Sequence, residues 1–102
     1  MSIYVVKSLR RGYKPTSTSI LIDRRTIFGN PFVLYNESDR EKVCSEHQHW
    51  LDMWLDYHQE INIGKYSNKE VIENLHLLKN KDLLCWCAPK QCHGDYLLKL
   101  MM

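Results

Sequence analysis

Three cysteines and a histidine crowd into Cys85-Trp86-Cys87-Ala88-Pro89-Lys90-Gln91-Cys92-His93-Gly94-Asp95. Residues of these types, this close together, can do three sorts of chemistry. A thiol beside an imidazole and a helix amino terminus is a candidate nucleophile: His93 and the helix dipole favour its thiolate, and Asp95 orients the imidazole or exchanges a proton. Backbone donors at the start of the last helix, together with Lys90, form a receptor for phosphate. Cys85, Cys87, Cys92 and His93 also carry the ligand types of a closed zinc site. The zinc reading is weak at this level, because adjacent Cys92 and His93 do not easily turn toward one tetrahedral ion and the spacing lacks the usual paired knuckles. No residue is therefore assigned as a metal ligand, and the sequence names no cofactor.

Each of these residues has a plainer role beside the chemical one. Cys85 on an apolar strand reads as core, because cysteine is among the most buried residue types. Cys92 and His93 could be a capping pair in a loop, and Asp95 an acid favoured in a first helical turn. Cys44, alone in a helical pattern, reads as core or inert.

A second stretch faces the same question. In Asp23-Arg24-Arg25-Thr26-Ile27-Phe28-Gly29-Asn30-Pro31-Phe32, the paired arginines could clamp an anion. Gly29 permits positive φ and Pro31 pushes Asn30 out of the helical region, so a fixed turn between Phe28 and Phe32 is expected. The candidate set is then Cys92, His93 and Asp95 as reactive groups. Arg24, Arg25, Gly29, Asn30, Cys87, Lys90 and Gly94 are the ligand-binding ones.

The elements that must position these residues follow from pattern. Ile3-Tyr4-Val5-Val6 and Ile20-Leu21-Ile22 read as strands, with a loop of Gly, Pro, hydroxyl and basic residues between them. Ser38 and Glu41 have capping-box spacing, and Val43, His47, Trp50, Leu51, Trp54 and Leu55 form one helical face to about His58. Ile61 to Tyr66 reads as a linker. A second capping box, Ser67 to Glu70, opens a helix with Val71, Ile72, Leu75 and Leu78 on one side, ending near Lys79-Asn80.

Leu83-Leu84-Cys85-Trp86-Cys87 reads as a strand buried on both faces, with Cys85 and Cys87 on one side and Trp86 packed on the other. A terminal helix is expected from Asp95. Strands alternating with helices predict an α/β fold: one small layered domain over residues 1–102, with a short, mostly parallel, Rossmann-like sheet flanked by helices. In such sheets ligands gather outside the carboxyl ends of the strands, where both stretches fall.

Composition narrows the class. At 102 residues, 44% hydrophobic and 25% charged, the chain suffices for one core and not two. Fourteen basic against twelve acidic residues give +2, too small a bias to argue for a polyanion. Three of the four cysteines lie within eight positions, unlike a disulfide scaffold, so free thiols or thiolate ligands are expected. No apolar run nears the roughly 18 to 20 residues that span a bilayer, which predicts a cytoplasmic protein without a membrane partner. Trp50 and Trp54 read as packing rather than a base-stacking platform. His47, His49 and His58 read as packing or solvated residues rather than a second metal site. The run of Lys7, Arg10, Arg11, Tyr13 and Lys14 reads as a solvated loop.

The chain resembles the domain of unknown function 4326 family of small bacterial and phage proteins. The likeness rests on Arg24 or Arg25 with Phe28-Gly29-Asn30-Pro31-Phe32, on the tryptophan-bearing helix, and on Lys79 to Pro89 followed by Cys92-His93-Gly94-Asp95. It runs from Ile20 onward. Asn80 stands where many relatives carry glycine, a swap compatible with a left-handed helix end. The resemblance marks the Gly-Asn-Pro-Phe turn and the Cys-His-Gly-Asp loop as the family's signatures, and implies little about activity.

The reading that joins these signals is a crevice between the two stretches that binds a nucleotide or nucleoside-like phosphate ligand. Arg24 and Arg25 would meet phosphate and Asn30 the ligand's polar groups. Turnover is left open. If it occurs, hydrolysis or transfer at a phosphoryl or glycosyl centre suits the acid–base groups. The competing class is a non-enzymatic phage or bacterial accessory module that binds nucleic acid, a host protein or a signalling nucleotide, with zinc as a structural variant and the host cytoplasm as its place if phage-encoded.

Overall fold

A computed structural model describes residues 6–8, 16–86 and 90–101. Its centre is a three-stranded parallel sheet in the order β1-β5-β2, formed by β1 (Val6–Ser8), β2 (Ser19–Leu21) and β5 (Asp82–Cys85). The last strand in sequence is thus the middle one in space. Leu83 sits opposite Val6 on one side and Ile20 on the other. A central parallel strand must be apolar on both faces, and Leu83, Leu84 and Cys85 are all buried. Beyond β2 the ladder gains one more bond, from Ile22 N–H to the Leu84 carbonyl at 3.0 Å.

Between β2 and β5 the chain makes α1 (Arg40–Tyr57), a hairpin of β3 (Asn62–Ile63) and β4 (Tyr66–Ser67), and α2 (Asn68–Glu73). A 3-10 turn over Leu75–Leu78 leads into β5, and α3 (His93–Leu100) follows it. Helix α1 packs against both α2 and α3. Tyr96 of α3 donates its hydroxyl hydrogen bond to Asp52 of α1. The layered, parallel α/β expectation holds. Three short strands are too few to define its Rossmann-like variant.

Several elements depart from their sequence signals. Helix α1 starts at Arg40, after a 3-10 turn over Glu37–Asp39, with no side-chain cap, so Ser38 does not open it. Ser67 does cap α2, its Oγ accepting from Glu70 N–H. The expected linker at Ile61 to Tyr66 is a hairpin, its turn made by Gly64 at φ +59°. Asn80 takes φ 64°, not as a left-handed helix end but as the third residue of a turn after extended Lys79, closed by Lys81 N–H to the Leu78 carbonyl at 3.2 Å. Helix α3 starts two residues before Asp95, because Cys92 is its amino-terminal cap.

The core joins Ile22, Phe28, Trp50, Leu51, Val71, Leu78, Leu83 and Leu97. Trp50 is buried and donates from Nε1 to the Ile61 carbonyl at 2.8 Å, while Trp54 is half-buried under Lys69 Nζ. The basic run at Arg10, Arg11, Tyr13 and Lys14 lies outside the described residues, as do Cys87, Ala88 and Pro89 and all of the expected first strand except Val6. Among the described residues no helix is long and apolar enough to cross a membrane.

Candidate functional site

Because the three strands are parallel, the chain leaving β2 and the chain leaving β5 emerge at the same end of the sheet. A cavity of about 580 Å³ opens there, lined by Asp23, Arg24, Arg25 and Asn30 from the first stretch and by Cys85, Trp86, Cys92 and His93 from the second. Its size lies in the ordinary range for small-molecule sites, about 300–1,000 Å³. The amino-terminal part of α1 closes a third side with Arg40, Val43 and Cys44.

The first stretch is held by its own short-range bonds. Asp23 accepts from the Arg25 backbone N–H at 3.1 Å, Thr26 N–H returns to the Asp23 carbonyl, and Gly29 N–H reaches the Thr26 carbonyl at 3.2 Å. Tyr66 pins the turn from outside, its hydroxyl donating to the Arg24 carbonyl at 2.7 Å. Gly29 is required by close approach and not, as its sequence setting suggested, by positive φ, which it does not adopt. A Cβ there would stand 2.7 Å from Arg24 Cα and 2.8 Å from the Asp23 carbonyl oxygen.

Asn30 spends its side chain on the fold: Oδ1 accepts from Phe32 N–H at 2.9 Å, and Nδ2 donates to the Val43 carbonyl at 3.3 Å. The two arginines differ. Arg25 is paired with buried Asp23, its Nη2 2.7 Å from Oδ2. Among the described residues the Arg24 side chain, exposed at the cavity wall, makes no ion pair.

Asp23 joins the two stretches, since its Oδ2 also accepts from Trp86 Nε1 at 3.2 Å. Burial pushes its carboxyl up, but the hydrogen bonds from Arg25, the Arg25 charge and Trp86 outweigh that and hold it below its ordinary value. Trp86 is therefore not turned into packing as strand alternation predicted. It is 49% exposed, with its ring at the cavity.

Arg40 ties the second stretch to α1 by donating from Nη1 to the Gln91 carbonyl at 2.9 Å while pairing with Glu37. The hydrogen bonds that Arg40 donates to Glu37 from Nε and Nη2 bring the Glu37 carboxyl down to about 2; burial opposes this, and the charges of Arg40 and Lys90 add to it. A cation in the first turn of a helix runs against the macrodipole preference, and this was the sequence signal for Arg40 that pattern reading missed.

Cys92 and His93 lie beneath the cavity wall, 2% and 6% exposed. Cys92 Sγ accepts from Gly94 N–H at 3.4 Å, and Asp95 Oδ2 accepts from Cys92 N–H at 3.1 Å, which completes a reciprocal cap on α3. His93 Nε2 lies 2.8 Å from the Ile22 carbonyl oxygen. A carbonyl can only accept, so Nε2 carries the proton, and in the neutral ring Nδ1 presents a lone pair. That Nδ1 lies 3.5 Å from Cys92 Sγ, and Cys92 Sγ lies 2.6 Å from Cys85 Sγ. The three ligand atoms sit within 4.8 Å of one another, all buried, so the adjacency of Cys92 and His93 does not keep them from facing one point.

The remaining predicted residues are placed apart. Asp95 borders a neighbouring hollow of about 200 Å³, which Cys92 and His93 also line. Lys90 is exposed, 3.5 Å from Glu37. Gly94 is buried against the sheet, where a Cβ would meet Ile22 Cδ1 at 2.6 Å. Cys87 lies outside the described residues. His47, read from the sequence as packing or solvated, is wholly buried with its ring 5.1 Å from that of His93. Burial, and then the charge of His93, hold it well below its ordinary value.

Fold and site together define a small α/β protein with a cavity at the carboxyl ends of parallel strands, floored by cysteine and histidine. Residues 5–102 match the family model described as a domain of unknown function, DUF4326, and the chain belongs to that family. No curated protein and no solved structure matches it.

Proposed function

We propose that the cavity binds a nucleotide or nucleoside-like ligand that carries phosphate, in a cytoplasmic setting. One observation carries the reading: the Arg24 guanidinium, which makes no ion pair among the described residues, and the half-exposed Trp86 ring line the same 580 Å³ space. An exposed indole offers a stacking face to a planar base, and guanidinium is the side chain best matched to phosphate oxygens. Phe32 adds a second aromatic wall. Arg25, engaged by Asp23, serves to fix the turn that presents Arg24.

Binding without turnover is favoured over hydrolysis or transfer. Two of the candidate groups already serve the fold, since His93 Nε2 donates to a backbone carbonyl and Asp95 accepts from the Cys92 N–H, and the remaining His93 nitrogen, Nδ1, is turned to the Cys92 sulfur.

The test is a panel of nucleoside mono-, di- and triphosphates scored by thermal shift and by quenching of indole fluorescence. At about 100 times Kd a bound nucleotide adds about 2.7 kcal/mol to stability, a readily measured rise in Tm. Arg24→Ala should weaken binding about tenfold or more, and Trp86→Phe should remove the quenching. If no nucleotide shifts the melting temperature while single-stranded nucleic acid or a host-protein extract does, the competing accessory-module reading takes its place.

A further inference from the structure

We propose that Cys85, Cys92 and His93 form a metal site that takes one zinc-class divalent cation, bordering the cavity. The proposal stands on the side-chain cluster and does not depend on nucleotide binding.

The donor set is of the right kind. Two sulfurs and an imidazole nitrogen select borderline-soft transition metals over magnesium or calcium. The cluster is also neutralised from within: two thiolates balance a dication, so the buried loaded site carries no net charge and avoids the cost of an unpaired ion in a core. His93 is set up as a ligand by its neighbour. With Nε2–H donated to the Ile22 carbonyl, the tautomer and ring orientation are fixed and Nδ1 is turned toward the sulfurs, the usual outer-shell arrangement of a metal-binding histidine. Cys92 sits at the amino terminus of α3, where the Gly94 N–H and the helix dipole favour its thiolate.

The two sulfurs lie 2.6 Å apart, closer than the roughly 3.8 Å between two thiolates on one tetrahedral zinc, so loading draws them apart, whereas a sulfur–sulfur bond would draw them together to about 2.05 Å. The imidazole decides for the ion, since a disulfide has no use for a third, oriented donor atom. A second sign is His47. It is completely buried against the His93 ring, and neither of its nitrogens has a hydrogen-bond partner among the described residues. Buried imidazoles without partners are rare in native proteins and mark places where a water or an ion belongs. Cys85, Cys92 and His93 also line the large cavity, so the cation would face whatever binds there.

Loading displaces two thiol protons to solvent as two sulfur–metal bonds and one nitrogen–metal bond form, with no change of oxidation state. The experiment is a titration of chelator-treated, fully reduced protein with Co²⁺ as the spectroscopic stand-in for Zn²⁺. Expected are a sulfur-to-cobalt charge-transfer band and the visible bands of a tetrahedral ion, saturating at one equivalent. Zn²⁺ should displace the cobalt, and about two protons should be released per ion. Cys85→Ser, Cys92→Ser and His93→Ala should each weaken Zn²⁺ binding at least tenfold, while His49→Ala on the exposed side of α1 should not.

The proposal is overturned by a reduced wild-type chain that shows no charge-transfer band, or by full Zn²⁺ affinity in either serine variant. It is also overturned by thiol counting that finds Cys85 and Cys92 joined as a disulfide in protein that then takes up no ion on reduction. The wild-type titration needs no substitution, so it decides the matter even if a variant fails to fold.

Discussion

Asp23 shows how one side chain can hold a site together. It accepts from the Arg25 backbone and guanidinium and from the Trp86 indole, and so couples the chain after β2 to the chain after β5. Its folded carboxyl lies below the ordinary value of 3.8. A depressed acid contributes stability that is fully present above the unfolded value and lost as pH falls through the folded one. Wild type should therefore melt above Asp23→Asn at neutral pH, with the gap closing on acidification below about pH 4. A gap that stays constant to pH 2 would show that the carboxylate charge contributes nothing.

Gly29 makes a steric prediction at the same scale. The atoms a Cβ would strike are backbone and cannot swing aside, so Gly29→Ala should cost on the order of 2 kcal/mol, measured by urea unfolding. The same substitution at Gly64 is strained by φ instead, and should cost about 1 kcal/mol.

At the scale of elements, the join between α1, the hairpin and α2 depends on a residue that pattern reading passed over. Asn68 is buried and its amide makes four bonds: Oδ1 accepts from Ile61 and Lys69 N–H, and Nδ2 donates to the Trp50 and Gln59 carbonyls. It thus ties the interior of α1 and the chain just past its end to the hairpin entrance. Asn68→Ala removes four hydrogen bonds at a buried or part-buried junction, and should destabilise by about 3 kcal/mol or more. Asn68→Asp keeps the acceptor but loses both donors, so it should not restore stability. Thermal melts of the two variants check this.

For the molecule as a whole, a radius of gyration of 12.9 Å matches the roughly 13 Å expected of a compact chain this long. Compactness here depends on β5 being threaded between β1 and β2 after most of the chain has been laid down. Its amides should then exchange with solvent only through global unfolding, while those of the two-residue strands β3 and β4 exchange by local opening. Hydrogen exchange followed by mass spectrometry would show Leu83, Leu84 and Cys85 among the slowest positions. Fast exchange there would mean the sheet opens without the core.

The sequence by itself determined a good deal. Periodicity located α1, the start of α2 and a doubly buried β5, because burying an apolar face requires apolar residues at fixed steps and leaves that spacing in the chain; the helix read on to Lys79-Asn80 instead ends at Glu73, and Leu75 and Leu78 belong to a 3-10 turn. Composition and spacing also picked out both stretches that line the cavity. What they could not reveal were facts of three-dimensional neighbourhood. Trp86 turns outward because Asp23, 63 positions away, accepts its indole proton. His93 faces the two sulfurs because Ile22 holds its other nitrogen. Arg24 and Arg25, alike in sequence, part ways because one buried carboxylate takes Arg25 and, among the described residues, leaves Arg24 without an ion pair. The Trp86 and His93 outcomes depend on contacts between residues that parallel pairing brings to the same end of the sheet, and the choice between the arginines depends on the local turn that follows β2. Only the tertiary structure could decide them, since local spacing records which face a residue takes and not what it meets there.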